Sequence, residues 1–585
     1  MNSTRYRRRM PAFSHCMLVT VFIFALTGSA FAEYSESNTS QAMIRAAQLD
    51  ALAKMASERL QGMDSKAVMG GRVAEIPELE AWTDPWGQYD MNVGSGREVT
   101  SDWTPYAGPF DLAEASHLLK RTVIGPQFSE MLGAETVGLG TSVQNLLLTQ
   151  LAPAAPGDWA TEPIPDVSEW TQEMIDSLVQ EYGQRVEKLR LWWAEVIIEE
   201  GGGISASPTL RESMTHFWHD HFATGARDVL FPQSMYVQNQ LLREHALGNF
   251  KELVGEIYKD PAMLLWLNGQ DNYVDHINEN FARELLELFT LGLDQYEQDD
   301  IIAAARSFTG WFTLDGMTSV YYPEYHDGGI KIFLNHAGNW EGDDIVDFIF
   351  EEDETARFIC RKLYRWFIDE YPDEALIEDL AATLRANNYE VAPVLERMFL
   401  SEHFFDMNYR GSIISDGVDK SIGLLRSLYM GNLNLMDGWD DEVAGPSAWT
   451  WFSMNTFGHL LLDPPNVAGW PGYRSWINAT TLTSRKALDT SVIDGNYYGY
   501  DLEMQADAIA IALETTDPND PYQLVDDLAL SFFGLPPTEA VRQRMLDELL
   551  QGSEPWEWSI YNAGAEAQVQ LLLKLIFRLP DFQAR

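Results

Sequence analysis

Two consecutive helices are punctuated at both ends in the middle of this chain, and they constrain its fold more than any other feature. Asn278 stands where a helix cap belongs, an apolar face of Phe281, Leu285, Leu288 and Phe289 follows, and Gly292 falls just past Leu291. A second helix is predicted from about Glu297 to Phe308, with Gly310 as its stop. The same periodicity predicts helices over 112–120, 143–151, 168–200, 210–222 and 235–245. Helical stripes of this kind are buried only against one another, so the expected class is mainly α, a multi-helix globular body.

One stretch breaks the pattern. From Trp311 to Leu334, β-branched and aromatic residues surround Asp315-Gly316 and Asp327-Gly328-Gly329, which predicts a small β-hairpin excursion before helices resume at Asp343. Ahead of the body, 33–109 reads as a polar helical arm followed by an irregular linker rich in Trp, Pro, Gly and Asp. The body itself is expected over 110–490. A C-terminal helical lobe over 491–585 follows, with Pro536-Pro537 as an internal break.

Residues 1–32 read as a secretory signal: Arg5, Arg7, Arg8 and Arg9, then an apolar run from Met17 to Leu26, then the small-x-small site Ala30-Phe31-Ala32. Export to the periplasm or the extracellular space is therefore expected. Loss of the signal would remove Cys16 and leave Cys360 without an intramolecular partner, so packing rather than disulfides must supply stability. No later run approaches the ~20 apolar residues of a membrane span, and no transmembrane anchor is expected. The formal net charge of -48 grows more negative without those four arginines. Such a field repels nucleic acid and excludes it as a partner class.

Residues suited to chemistry gather in five places. His216, His219 and Asp220 stand at i, i+3 and i+4, so one helix face offers three donors to zinc or another divalent metal. His221 lies roughly 200° around the helix from His219. The alternative is a set of core histidines hydrogen-bonded to the backbone. Glu279, Arg283 and Glu287 form a second row, with Asn280 and Glu284 beside it, either a self-neutralising solvated face or a source of a catalytic Glu279 or Glu284. His326 and Asp327, with Lys331, occupy a loop and hairpin that suits a reactive group or an ordinary turn. Arg243 and His245 could bind an anionic group or satisfy carbonyls and carboxylates within the fold. Trp470 and Trp476 could stack on a sugar or pack on the core.

Several blocks carry a resemblance. Phe217-Trp218-His219-Asp220-His221-Phe222, Leu242-Arg243-Glu244-His245-Ala246-Leu247-Gly248-Asn249-Phe250, Asn278 to Gly292, Ala305 to Trp311, His326 to Lys331 and Pro464 to Gly472 keep their order across roughly Leu112 to Arg485. Together they resemble the bacterial family catalogued as domain of unknown function 1800. The resemblance implies an exported, mainly helical protein, often encoded beside a sulfatase-like exported family, with no activity established. His219 and His221 are the histidine pair that fits the family pattern, whereas Asp220 stands where Asn is common and His459 where Gln is common. The function expected from these readings is a metal-assisted hydrolase acting on an extracellular or envelope polymer or ester, through a metal-bound water and a carboxylate base. The alternatives are a non-catalytic secreted scaffold, with a sulfatase-like exported protein as its partner, and a module that binds a glycan through its tryptophans.

Overall fold

The computed structural model describes residues 101–148, 152–167, 170–199, 208–431, 433, 435–436, 445–497 and 500–585. The residues expected to form a secretory signal, an arm and most of a linker lie outside the described residues. Helices dominate, and the strands form only two-stranded hairpins, so the chain is mainly α with small β excursions. Among the described residues no helix is long and apolar enough to cross a membrane.

Two apolar cores organise the helices. One joins the long helix Gln172–Glu199 to residues of 418–462 and to the C-terminal helices as far as Phe582. The other joins residues of 103–146, 210–222 and 242–409. The helix Arg211–His221 sends Met214, Phe217 and Trp218 into the second core. The segment it faces sends Phe457, Leu460, Leu461 and Leu462 into the first. Polar side chains on the facing surfaces are thereby buried at the seam, where each must find a partner or stay costly.

The punctuated pair forms with one departure. Asn278 Oδ1 accepts from the Asn280 N–H at 3.0 Å, and the helix Asn280–Glu284 begins there, but it widens into a π-helix over Leu285–Thr290. Thr290 Oγ1 donates to the Leu285 carbonyl at 2.6 Å, and Gly292 N–H reaches back to the Leu286 carbonyl at 2.9 Å. Each wide turn advances side chains by less than an α-turn, so the i, i+4, i+8 row predicted on this helix is broken. Arg283 pairs with Glu279 at 2.8 Å, while Glu287 leaves the row and meets Tyr296. The second helix follows at Gln298–Ser307.

Two hairpins sit where strands were expected and run slightly further; a third, Asn496–Tyr497 with Tyr500–Asp501, falls where none was expected. Strand β1 (Trp311–Thr313) pairs antiparallel with β2 (Ser319–Tyr321), Phe312 opposite Val320. Strand β3 (Lys331–Phe333) pairs with β4 (His336–Gly338), Ile332 opposite Ala337. The Asp315 carboxylate shapes the first turn by accepting from the Met317 and Thr318 N–H groups at 2.9 and 2.8 Å. In the C-terminal region the helices Pro521–Phe533 and Glu539–Leu550 flank the predicted break at Pro536-Pro537.

Candidate functional site

The face of Arg211–His221 that carries His216, His219 and Asp220 turns toward the segment 457–476, and the three residues are used in three ways. His219 Nε2 accepts from the Leu462 N–H at 3.1 Å, so its proton is on Nδ1 and this nitrogen is taken by the backbone. Burial, followed by the nearby His459 and Arg190, lowers its pKa to about 3. Asp220 Oδ1 accepts from the Trp470 N–H at 2.8 Å. Burial pushes the Asp220 carboxyl up to about 6 against the pull of that N–H and of the Lys362 ammonium. His216 alone meets other candidate ligands, with its Nε2 3.0 Å from Nε2 of His459.

Asp416 completes this group. Its Oδ1 stands 3.6 Å from Nδ1 of His459, and one donor atom from each of His216, Asp416 and His459 lies within 4.8 Å of the others. All three residues are buried. Burial pushes the Asp416 carboxyl up, but the imidazoles of His459 and His216 outweigh it and hold the group well below the ordinary carboxylate range. Burial holds His216 far below the ordinary imidazole range. His459 is clamped between rings, with Trp476 stacked at 4.7 Å and Trp470 tilted at 4.4 Å. Its Nδ1 makes no hydrogen bond.

Two glycines permit the approach. A Cβ on Gly417 would fall 2.4 Å from Cβ of His459, so the residue after Asp416 must lack a side chain for the two to meet. A Cβ on Gly469, at φ +81°, would fall 2.4 Å from the Asp220 carbonyl oxygen and 2.5 Å from Oδ1. The loop that delivers Trp470 to Asp220 therefore requires glycine there.

Asp416, His459 and Asp220 open on a cavity of about 550 Å³, whose other walls include Trp366, Lys362, Glu370 and Tyr473. Burial, aided by Asp369 and opposed by Arg365, pushes Glu370 up to about 7. An ion bound between two imidazole nitrogens at ~2.0–2.1 Å would hold them about 3.3 Å apart in tetrahedral geometry. The 3.0 Å between His216 and His459 is close to that edge, and Asp416 must swing in from at most 4.8 Å. The donor set fits zinc or a similar divalent ion with a position left facing the cavity.

The remaining sequence candidates lie elsewhere or do other work. His221 points away from the group, its Nε2 hydrogen-bonded to the Phe289 carbonyl at 3.0 Å, although the residue borders the cavity. Glu279 and Arg283 form a half-exposed pair beside exposed Asn280. Glu284 stays off the cavity, its carboxyl pushed up to about 7 by burial and by Glu287. Arg243 is buried on Glu212, and His245 caps the end of its helix, Pro232–Glu244. His326, Asp327 and Lys331 form a separate cluster around Arg306 and Thr309. Sequence reasoning missed Asp416, Lys362 and Glu370, and noted His459 only as a departure from a pattern. Nothing local marks them, since His459 is 243 positions from His216.

No curated protein and no solved structure matches this chain. A family model described as "Protein of unknown function (DUF1800)" matches residues 117–584, from the first buried histidine of the body almost to the last residue, and the chain belongs to that family.

Proposed function

We propose that this chain is a metal-assisted hydrolase that acts on an extracellular or envelope polymer or ester. The carrying observation is the buried donor group His216, Asp416 and His459 at the wall of a cavity large enough for a substrate group. In this reading the three residues would hold a divalent ion, which would supply Lewis acidity toward a water or substrate oxygen. Asp220 stands one helical turn beyond His216, with Oδ1 fixed by Trp470 and Oδ2 left to take the water's proton. A carboxyl at about 6 is mostly ionised at neutral pH and is basic enough for that transfer.

The reading is tested by assaying the full chain against a panel of esters and glycans before and after chelation. Hydrolysis that is lost with chelator, regained with zinc and absent in His459→Ala supports it; activity indifferent to both refutes it. Export is proposed on the signal-like residues 1–32. The scaffold reading keeps one observation in its favour: the Glu212–Arg243 network on the same helix is closed and has no access to the cavity.

A further inference from the structure

The helix Asp353–Phe367 divides its residues cleanly between core and cavity. Ala356, Ile359, Cys360, Leu363, Tyr364 and Phe367 are buried in the core. Phe358, Arg361, Lys362, Arg365 and Trp366, at i, i+3, i+4, i+7 and i+8, all border the cavity. An aromatic ring thus lies at each end of a face carrying three cations, in a protein whose net charge is -48.

These cations are not equally occupied. Arg361 is held by Glu354 at 2.5 Å and Glu374 at 2.8 Å. Arg365 donates through Nε to the Glu370 carbonyl at 3.2 Å. The Lys362 ammonium has one hydrogen bond, to the Leu288 carbonyl at 3.2 Å, and rests 5.2 Å from the centre of the Phe358 ring. No carboxylate oxygen among the described residues lies within ion-pair distance of it. Asp220 is the acid that acts on it, from further off. A half-buried ammonium with one neutral acceptor has two donors to spare and a charge that the protein does not neutralise by contact.

The geometry points to an oxyanion subsite: Lys362, backed by Arg365, holds a carboxylate, sulfate or phosphate group of the substrate, with Trp366 beside it for the attached ring or chain. This rests on the cavity being the substrate site, and it adds the class of substrate. A bound oxyanion would supply the counter-charge that this half-buried ammonium lacks. Burial lowers the Lys362 pKa to about 8, which leaves the group mostly charged at neutral pH and easily stabilised by an anion. The overall negative field disfavours a polyanion approaching the whole surface. A single anionic group entering a cavity is compatible with it.

The test uses the full metal-free chain titrated with sodium sulfate, phosphate and acetate in separate calorimetric runs, which distinguish tetrahedral from planar oxyanions. At least one should bind saturably, Lys362→Met should weaken it tenfold or more, and Glu279→Gln, away from the cavity, should leave it unchanged. Methionine keeps the length of the lysine stem, and a second measurement needs no variant: the bound anion should slow acylation of Lys362 in the wild-type chain, read by peptide mass spectrometry. Absence of saturable binding, unchanged affinity in Lys362→Met or undiminished acylation would each overturn the subsite. A failed metal site would appear separately, as no metal uptake with anion binding intact.

Discussion

The two ends of the helix Arg211–His221 handle buried charge in opposite ways. At its first turn Glu212 is closed: Arg243 donates Nε and Nη2 to the two carboxylate oxygens at 2.7 and 2.9 Å, and Trp193 adds its indole N–H at 2.9 Å. One and two turns later the pairing is less complete: His216 meets His459, Asp220 accepts from Trp470 and Asp416 Oδ1 accepts from the Asp419 N–H at 2.8 Å, but His459 Nδ1 lacks a hydrogen bond and Asp416 stands 3.6 Å from it. Around Asp327 the hairpin cluster follows the closed pattern, although the neighbouring His326 Nε2 has no hydrogen bond. Arg306 grips both oxygens of Asp327 at 2.6 and 3.0 Å, and Lys331 is bound to the Asp327 and Trp340 carbonyls. Buried polar groups that fix a fold satisfy one another, whereas groups that wait for a ligand remain short of partners. The contrast separates these clusters where residue type does not, because all three mix basic side chains with acids.

The sharpest way to break the contrast is at its closed end. Arg243→Ala strands a buried carboxylate and should cost ~3–5 kcal/mol in denaturant unfolding, without altering metal stoichiometry in the fraction that folds. Next comes Asp220→Asn at the open end. Its folded-state carboxyl is raised from 3.8 to about 6, so the folded protein holds that proton more tightly than the unfolded chain. The resulting stability is present below pH 4 and is lost as pH rises through about 6. Asparagine should therefore stabilise the fold by up to ~3 kcal/mol at pH 8 and by almost nothing at pH 4. Hydrolysis should fall ~100-fold or more at pH 8 and far less at pH 4, where the wild-type carboxyl is itself protonated, if Asp220 is the base. Gly417→Ala pushes Asp416 and His459 apart and should cost ~1–3 kcal/mol of stability, with metal uptake weakened beyond what that loss explains. Smallest is Glu279→Gln on the half-exposed row, expected to change stability by less than ~0.5 kcal/mol. A large effect there would mean that exposure is a poor guide to which carboxylates matter.

How much of this was legible in the sequence depends on whether the information is local. Helix starts and stops are local, so Asn278, Gly292 and Gly310 placed the central pair correctly, and turn formers placed the hairpins. The π-helix over Leu285–Thr290 was not legible, because its register is set by Thr290 and Gly292 reaching back to Leu285 and Leu286 within the packed fold. That one change moved Glu287 off the predicted row. At the site, periodicity put His216, His219 and Asp220 on one face and His221 on another, as found. It did not tell which of them the Leu462 backbone would occupy, and it had no access to Asp416 or His459, which reach the helix from distant segments. The cation face of Asp353–Phe367 had a readable period, but its significance depended on a cavity that only packing creates.

Elemental analysis and zinc titration of the purified full chain, beside His216→Ala and His459→Ala, test the central claim most directly. The open cluster predicts one divalent ion per chain, bound by the wild type and lost from both folded variants. Zinc uptake that is absent in the wild type, or that survives in both variants, would contradict it and leave His216, Asp416 and His459 as a buried structural network like the one around Glu212.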